Sequence, residues 1–360
     1  MRFRAVPVLL IFAAALLSAL AQATMNDPSP EALVEGSHWK RAKAVLEPRV
    51  QANPNDAQAL YLLSQVKLQY GDLNGALALA EKSAAIEARN PSYRLQVAEA
   101  VGELADKTGN WFKKLSYGRR YRREAEAVIA LDAKNIPARI GLLEWHMQAG
   151  PIGGNKKVAY SLADEIMRLD PAEGYLAQVR LARLEKKSDS PEPLYLKALE
   201  ANPKSFGIHM TLVNFYFSGP QQKYDLVEKH AREALKLEPG RTGGYGGLAI
   251  VFARLKRWQE LDAILAQAEK NVPDNFSPLY SAGNILLVDG SDLPRAEKYF
   301  RKYLTIEPEP TSPTHADARW RLALVLEKMG RKPEAIQELQ KALQLNPNHE
   351  GAKRDLKRLK

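Results

Sequence analysis

The residue types that usually carry out chemistry are few in this sequence, and they are not arranged for it. Cysteine is absent, which excludes thiol nucleophiles, disulfides and thiolate metal sites. No Gly-x-Ser-x-Gly elbow occurs, and no histidine stands in a ligand spacing such as His-Glu-x-x-His. The histidines are His38, His146, His209, His230, His315 and His349. We therefore expect no enzyme, with no catalytic residues, no metal site and no cofactor.

Two glycine-rich segments can be compared with nucleotide-binding loops. Residues 150–157 read GPIGGNKK, but Asn155 stands where a phosphate loop needs its second glycine, and Val158 follows the lysines in place of Ser or Thr. We predict a structural loop there, because glycine adopts positive φ. The glycines of 240–247 also lack the context of a dinucleotide fingerprint, and for them we predict close helix packing.

Residues 111–123 combine aromatic rings with basic side chains and contain no acidic residue. The six bases are Lys113, Lys114, Arg119, Arg120, Arg122 and Arg123. One interpretation is a docking surface for an anionic partner, such as a lipid headgroup, an acidic protein or a glycan. The other is a longer second helix whose aromatic rings pack inward and whose bases are solvated. We favour the second, because basic helix faces are common.

The first 23 residues have the pattern of a secretory signal peptide. Arg2 and Arg4 precede an apolar stretch at 6–20, and Ala-Gln-Ala at 21–23 forms a small-x-small cleavage signal. The apolar stretch is shorter than the roughly 20 residues of a membrane-spanning helix. We therefore predict cleavage before Thr24, rather than a retained anchor, and a mature protein that is periplasmic or secreted.

The charge pattern does not point to nucleic acid. The formal net charge is +10, but the basic excess is mild and is spread along the chain. A hydrophobic fraction of 45% also excludes an intrinsically disordered chain. We expect no nucleic-acid partner; a peripheral association with the cell envelope remains open, and the oligomeric state is not predicted.

Internal repetition is the strongest signal in the sequence. Residues 57–88, 242–273 and 316–347 align in one frame, and Pro239 and Pro273 lie 34 residues apart. The order of large residue, Leu, small residue, Gly, Ala, Ala and Pro is complete in 316–349. On these residues the chain resembles the tetratricopeptide repeat family over almost all of its mature length. The resemblance implies an all-α, right-handed superhelical solenoid of about eight antiparallel helix pairs.

The predicted units differ in length and regularity. Small residues such as Ala323 and Ala335 should let paired helices approach closely, while Leu322, Leu326, Leu339 and Leu343 fill the space between pairs. The units are 24–56 (degenerate), 57–90, 91–135 and 136–171 (both with insertions), 172–205, 206–241, 242–275, 276–315 and 316–349, and residues 350–360 follow as a polar capping helix.

The resemblance also implies a ligand-binding groove lined by the first helix of each pair. Aromatic and amide groups on a rigid surface suit the capture of a peptide. The candidate groove residues are Tyr61, Gln65, Met210, Asn214, Phe217, Tyr280, Asn284 and Trp320. The Lys and Asn set with which related chaperone-binding repeats hold an acidic C-terminus is incomplete, because only fragments such as Asn284 and Arg321 are present.

Two functions follow from these patterns. The first is a non-catalytic, extracytoplasmic scaffold that binds a protein or peptide in the groove, in envelope assembly or protein traffic. The alternative is a protein that binds or processes cell-wall glycan or polysaccharide, with Trp111 and Trp145 stacking on sugar rings.

Overall fold

The computed structural model describes residues 28–150, 153–187, 190–219 and 222–360. The predicted signal peptide lies outside these residues. The described part of the chain forms 19 helices and no strand, and consecutive helices pack as antiparallel pairs. The prediction of an all-α solenoid is therefore confirmed.

The helices alternate between a first and a second helix in each pair. The first helices are α1 (Pro30–Glu35), α3 (Ala57–Gln69), α5 (Pro91–Lys107), α7 (Ile136–Gln148), α9 (Pro171–Leu184), α11 (Phe206–Ser218), α13 (Thr242–Arg254), α15 (Ser277–Asp289) and α17 (His315–Lys328). The second helices are α2 (Trp39–Ala52), α4 (Leu73–Ile86), α6 (Trp111–Leu131), α8 (Lys156–Leu169), α10 (Glu192–Ala201), α12 (Tyr224–Leu237), α14 (Trp258–Asn271), α16 (Leu293–Tyr303) and α18 (Lys332–Leu345). A terminal helix, α19, spans Glu350–Leu359.

Short polar side chains fix where many first helices begin. Asp56 Oδ1 accepts a hydrogen bond from the Ala59 amide at 2.9 Å, and Asp170 Oδ1 accepts one from the Glu173 amide at 3.1 Å. Thr314 and Asp317 cap α17 reciprocally, each accepting a hydrogen bond from the other's backbone amide. These bonds satisfy amides that a helix leaves free at its start.

The turn within most pairs contains a residue with positive φ; the turn between α5 and α6 does not. Gly71 (φ 74°) and Gly330 (φ 79°) occupy this position in units whose repeat pattern is well kept. In other units Lys186 and Lys256 stand there, each with φ 56°. Glycine adopts this conformation without steric cost, which explains why it recurs at this place in the sequence.

The core forms as the repeat pattern predicts. Ala323 and Ala335 are fully buried between their helices, and Leu322 and Leu339 are buried with them. Leu343 packs against the same cluster, which runs continuously from α9 to α19. Because each pair shares its apolar residues with the next, the stack buries surface that one pair alone would expose.

The first helix pair reaches across the molecule to loops near the C-terminus. His38 Nδ1 lies 3.1 Å from Asp274 Oδ2, and the Lys40 ammonium donates to the carbonyl oxygens of Asp274, at 2.8 Å, and of Glu307. The Lys40 amide donates to Glu309 Oε2 at 3.1 Å, and Glu309 is buried. These partners lie between 234 and 269 positions apart in sequence. The curvature of the stack thus brings its first unit against its last ones.

The insertion in residues 91–135 lengthens both helices of its pair. Helix α5 has 17 residues where α3 has 13, and α6 has 21 where α4 has 14. Tyr117 and Tyr121 pack inward as predicted. The same prediction is wrong for Trp111 and Phe112, which are 61% and 80% exposed. They lie in the first turn of α6, beyond the ends of the neighbouring helices, and have nothing to pack against.

The two glycine-rich segments serve the backbone. Gly150 and Gly153 have positive φ, as a structural loop requires; the residues between them lie outside the described part. In the second segment, a Cβ on Gly244 or Gly247 would press on Ala231 of α12 at 3.0 Å or less. Close helix packing is confirmed there, although Gly246 faces open space.

Candidate functional site

The first helices line the inner side of the curved stack. Successive first helices contact one another directly, as α3 does with α5, α11 with α13, α13 with α15 and α15 with α17. Successive second helices do not pack together to that extent among the described residues. In a curved stack the elements on the concave side are closer together. The inner face is therefore built from first-helix side chains that point away from the second helices.

At the N-terminal end of the inner face, Tyr61 lies beside a second ring and a carboxylate. Its ring centroid is 5.0 Å from that of Tyr93. Burial raises the pKa of Tyr61, and the charge of Glu99 raises it further. Gln65 is half-buried on the same helix. The structure thus brings these two predicted groove residues, Tyr61 and Gln65, together with Glu99.

Sequence reasoning missed Glu99, although a signal for it was present. Glu99 lies 34 residues after Gln65 and Glu103 lies 34 after Gln69, so both occupy groove positions of the next unit. Glu99, Glu103 and Asp106 form no ion pair within the described residues. Glu99 is exposed, but the protein atoms around it in the concave face partly exclude water, which raises its pKa, and the Glu103 charge adds to this. These carboxylates therefore give this part of the inner face a negative charge that the chain does not compensate.

Tyr121 fills the space between two first helices at this place. Its ring lies against Gly102 of α5, where a Cβ would be 3.2 Å away, and its hydroxyl occupies the space of a Cβ on Gly141 of α7. Burial raises the pKa of Tyr121, helped by the nearby charges of Glu144 and Glu99. The Tyr121 ring is therefore fixed between α5 and α7, close to Glu99.

The C-terminal part of the inner face contains Tyr280, Asn284 and Arg321. The Tyr280 ring packs 5.5 Å from Phe300 and 5.3 Å from Tyr303, and burial raises its pKa although the Arg321 guanidinium opposes this. Asn284 Oδ1 and Arg321 Nε are buried without any hydrogen-bond partner in the described structure. Arg321 and Tyr280 interact across α15 and α17, which fixes both side chains in this part of the inner face.

A pocket of about 480 Å³ opens beside these residues. Its apolar wall includes Val288, which is 59% exposed, and Leu324. Its basic wall includes Arg321 and Lys328, whose ammonium donates to the Leu287 carbonyl at 3.0 Å. The pocket can accept an apolar side chain next to an anionic group.

The middle of the inner face is mixed. Asn214 is exposed, while Phe217 is half-buried against the main core. Met210 lines a second pocket, of about 390 Å³, which His38 and Arg241 also line. That pocket exists only because the first unit closes onto the later ones.

Trp320 contacts the terminal helix rather than open space. Its indole Nε1 donates to Asp355 Oδ2 at 2.8 Å, and its ring lies directly over Gly351. The Arg321 guanidinium lies 4.3 Å from the centre of the ring. The tryptophan thus holds α19 in place.

The basic residues of α6 divide into two sets. Arg120 pairs with Glu81 at 2.5 Å, and Arg122 pairs with Glu126 at 3.0 Å. The Arg122 guanidinium also lies 5.2 Å from the centre of the Trp145 ring. The remaining four form no ion pair within the described residues: Lys113, Lys114, Arg119 and Arg123.

No group of three or more potential metal ligands occurs in the part of the chain that the structure describes. His209 and His230, on the two helices of one pair, meet in the core with their Nδ1 atoms 3.0 Å apart. Across the described ranges, no helix is both long enough and apolar enough to cross a membrane.

Comparisons with known proteins agree with this architecture. The tetratricopeptide repeat family model matches residues 316–349, and no curated protein matches the chain. The crystal structure of yeast Tom70 is similar at a TM-score of 0.50 and 14% identity, covering 92% of this chain and 79% of that one. A tetratricopeptide repeat protein from Parabacteroides merdae ATCC 43184 has a TM-score of 0.41 and 16% identity, covering 84% of this chain and 98% of that one.

The repeated helix pairs, the match over residues 316–349 and the similarity to Tom70 agree on one fold, the tetratricopeptide repeat solenoid. Proteins with this fold generally act as protein-interaction scaffolds. Residues 316–349 therefore form a tetratricopeptide repeat, and the described helices stack as in tetratricopeptide repeat proteins.

Proposed function

We propose that this protein is a non-catalytic scaffold outside the cytoplasm, and that it binds an extended segment of a partner protein along the inner face of its solenoid. The observation that carries the proposal is the polar lining of the inner face. The carboxylates of Glu99 and Glu103 form no ion pair within the described residues, and the Arg321 guanidinium lines a pocket at the other end. A basic side chain of a peptide can donate to the carboxylates, and a peptide carboxylate or carbonyl oxygen can accept from the guanidinium.

The charge of the inner face suggests how the segment lies. Glu99 and Glu103, near the N-terminal end, lack cationic partners within the described residues. Arg321 and Lys328, near the C-terminal end, line a pocket with apolar walls. A complementary segment carries a basic residue opposite α5 and an acidic residue, beside an apolar one, opposite α15 and α17. Complementary charges of this kind fix register and direction.

The location outside the cytoplasm rests on the sequence. The basic start, short apolar stretch and Ala-Gln-Ala site of residues 1–23 support export. The absence of cysteine suits either a reducing or an oxidising compartment, and so does not distinguish them. We place the function in envelope assembly or protein traffic on this basis.

Peptides selected from a random display library should reveal the groove chemistry. We expect the enriched peptides to carry a basic and an acidic residue at opposite ends. Glu99→Gln and Arg321→Gln should each weaken binding about tenfold, since a charge-assisted hydrogen bond contributes roughly 1.5–3 kcal/mol. Fluorescence anisotropy with the synthetic peptides measures the dissociation constants.

Two variants on second helices serve as matched controls. Glu200→Gln on α10 and Lys298→Gln on α16 remove the same charges from exposed positions. They should bind the peptides as the unmodified protein does. Enriched peptides that bind all four variants equally, or a selection that enriches nothing, would show that the inner face is not the binding surface.

A further inference from the structure

The extra residues within the unit 91–135 lengthen its two helices into a projecting hairpin. Relative to α3 and α4, the extra helical turns lie at the end of α5 and the start of α6. At 1.5 Å per residue the hairpin therefore extends about 6 to 10 Å beyond its neighbours. We call residues 107–123 the hairpin tip. It joins the two helices through Thr108, Gly109 and Asn110, whose side chain caps α6.

The hairpin tip exposes apolar surface that nothing in the described structure covers. Trp111 is 61% exposed and Phe112 is 80% exposed, the largest exposed fractions among the big hydrophobic side chains described. The next two residues, Lys113 and Lys114, are exposed and form no ion pair within the described part of the chain. An aromatic pair is thus followed directly by two free cations at the most prominent point of the hairpin.

The charge continues along one face of α6. Phe112, Arg119 and Arg123 are spaced by seven and then four residues, which places them on the same side of the helix, and all three are exposed. The arginines lie about 10 and 16 Å behind the phenylalanine along the axis. No acidic residue occurs between positions 107 and 123. The face therefore presents apolar groups in front and cations behind them.

The shape of the tip decides between a protein and a lipid partner. A stable protein interface needs roughly 800 Å² from each partner with complementary shape, and a narrow convex tip offers little more than two side chains. A lipid surface adapts its shape to the tip. Tryptophan and phenylalanine favour the headgroup boundary, while lysine and arginine favour anionic headgroups.

We propose that the hairpin tip docks this protein on the surface of an anionic lipid bilayer. Trp111 and Phe112 enter the headgroup boundary, and Lys113, Lys114, Arg119 and Arg123 contact lipid phosphates. The docking is peripheral and needs no membrane-spanning helix in the described part of the chain.

Vesicle binding by the full chain tests the proposal. The vesicles contain phosphatidylcholine alone or with roughly one third phosphatidylglycerol. We expect binding to the anionic vesicles that weakens as salt rises. Trp111→Ala/Phe112→Ala and Lys113→Gln/Lys114→Gln should each weaken it about tenfold. Lys156→Gln/Lys157→Gln is the matched control, because these two exposed lysines also begin a helix but lack the aromatic pair.

Tryptophan fluorescence locates the contact independently of residues 1–27. The other four tryptophans are buried or half-buried. We expect a blue shift and quenching by brominated lipid in the unmodified protein, both lost in Trp111→Phe. An emission change that survives this substitution would overturn the proposal. So would an absence of binding, equal binding by the tip variants, or an equal loss in the control.

Discussion

Gly174→Ala is expected to lower the free energy of unfolding by about 2 kcal/mol. A Cβ at this position of α9 would collide with the Met167 backbone of α8 at its Cα. The two helices cannot separate to relieve the clash, because Asp170 alone joins them and caps both. Overpacking costs roughly 1–3 kcal/mol or more, and alanine recovers only about 1 kcal/mol of helix propensity. Urea denaturation followed by circular dichroism measures the change.

Gly246→Ala provides the matched control for this substitution. Gly246 also lies inside a first helix, α13, but a Cβ there meets nothing within 4 Å. This variant should gain about 0.5–1 kcal/mol from helix propensity alone. If both variants changed stability by the same amount, the close approach of α8 and α9 would have no energetic consequence, contrary to our account.

Acid should destabilise the protein through a pair of buried histidines, by up to about 3 kcal/mol. His209 and His230 face each other across α11 and α12, and both side chains are buried. His209 Nε2 donates to the Pro203 carbonyl at 3.1 Å, so the Nδ1 of the neutral ring accepts the proton of His230 Nδ1. The His230 ring also stacks on Tyr216. A proton added to His230 Nε2 would therefore place a positive charge on a ring that is 2% exposed.

The direction of the effect follows from the His230 pKa. Burial, and then the charge of His209, lower it to about 4, whereas an unfolded histidine titrates near 6.5. Between these values the unfolded chain binds the proton and the folded chain does not. Stability from this group is therefore complete above pH 6.5 and falls progressively toward pH 4.

The comparison with His230→Gln isolates this contribution. Glutamine does not titrate, and its amide can still donate to His209. Carboxylates whose protonation also weakens the fold titrate in both proteins and cancel in the difference. The free-energy difference between the two proteins should therefore shrink or reverse by about 2–3 kcal/mol between pH 8 and pH 4.5. A constant free-energy difference over that range would contradict the prediction, because it would mean that protonation of His230 does not contribute to the loss of stability in acid.

The repeat period predicts much of this structure because it acts locally. Gly71 and Gly330 mark turns that any copy of the motif needs, and Ala323 and Ala335 mark contacts within one pair. The same period could have identified Glu99, which lies one repeat after Gln65. The spacing of residues within one repeat is therefore enough to predict the fold class and many of the residues on the inner face.

The features that the sequence left undetermined depend on distances that no local pattern encodes. The contact of His38 with Asp274 spans 236 positions and results from small rotations summed over all the units. The exposure of Trp111 depends on how far α6 extends beyond the neighbouring helices. In a shorter helix the same ring would lie against those neighbours. His209 and His230 meet because two helices of one pair align at a register that their sequences alone do not state.

Site-specific photocrosslinking in the native host tests the central claim, capture of a partner on the inner face, most directly. A benzophenone amino acid is placed at Gln65, Asn214 or Asn284 on first helices, and at Glu200 or Lys298 on second helices. Our account predicts one shared protein adduct from the three inner positions and none from the two outer ones, with the crosslinked sites ordered along a single segment of the partner. Adducts that form only from Glu200 and Lys298 would contradict it, because the partner would then bind the outside of the solenoid.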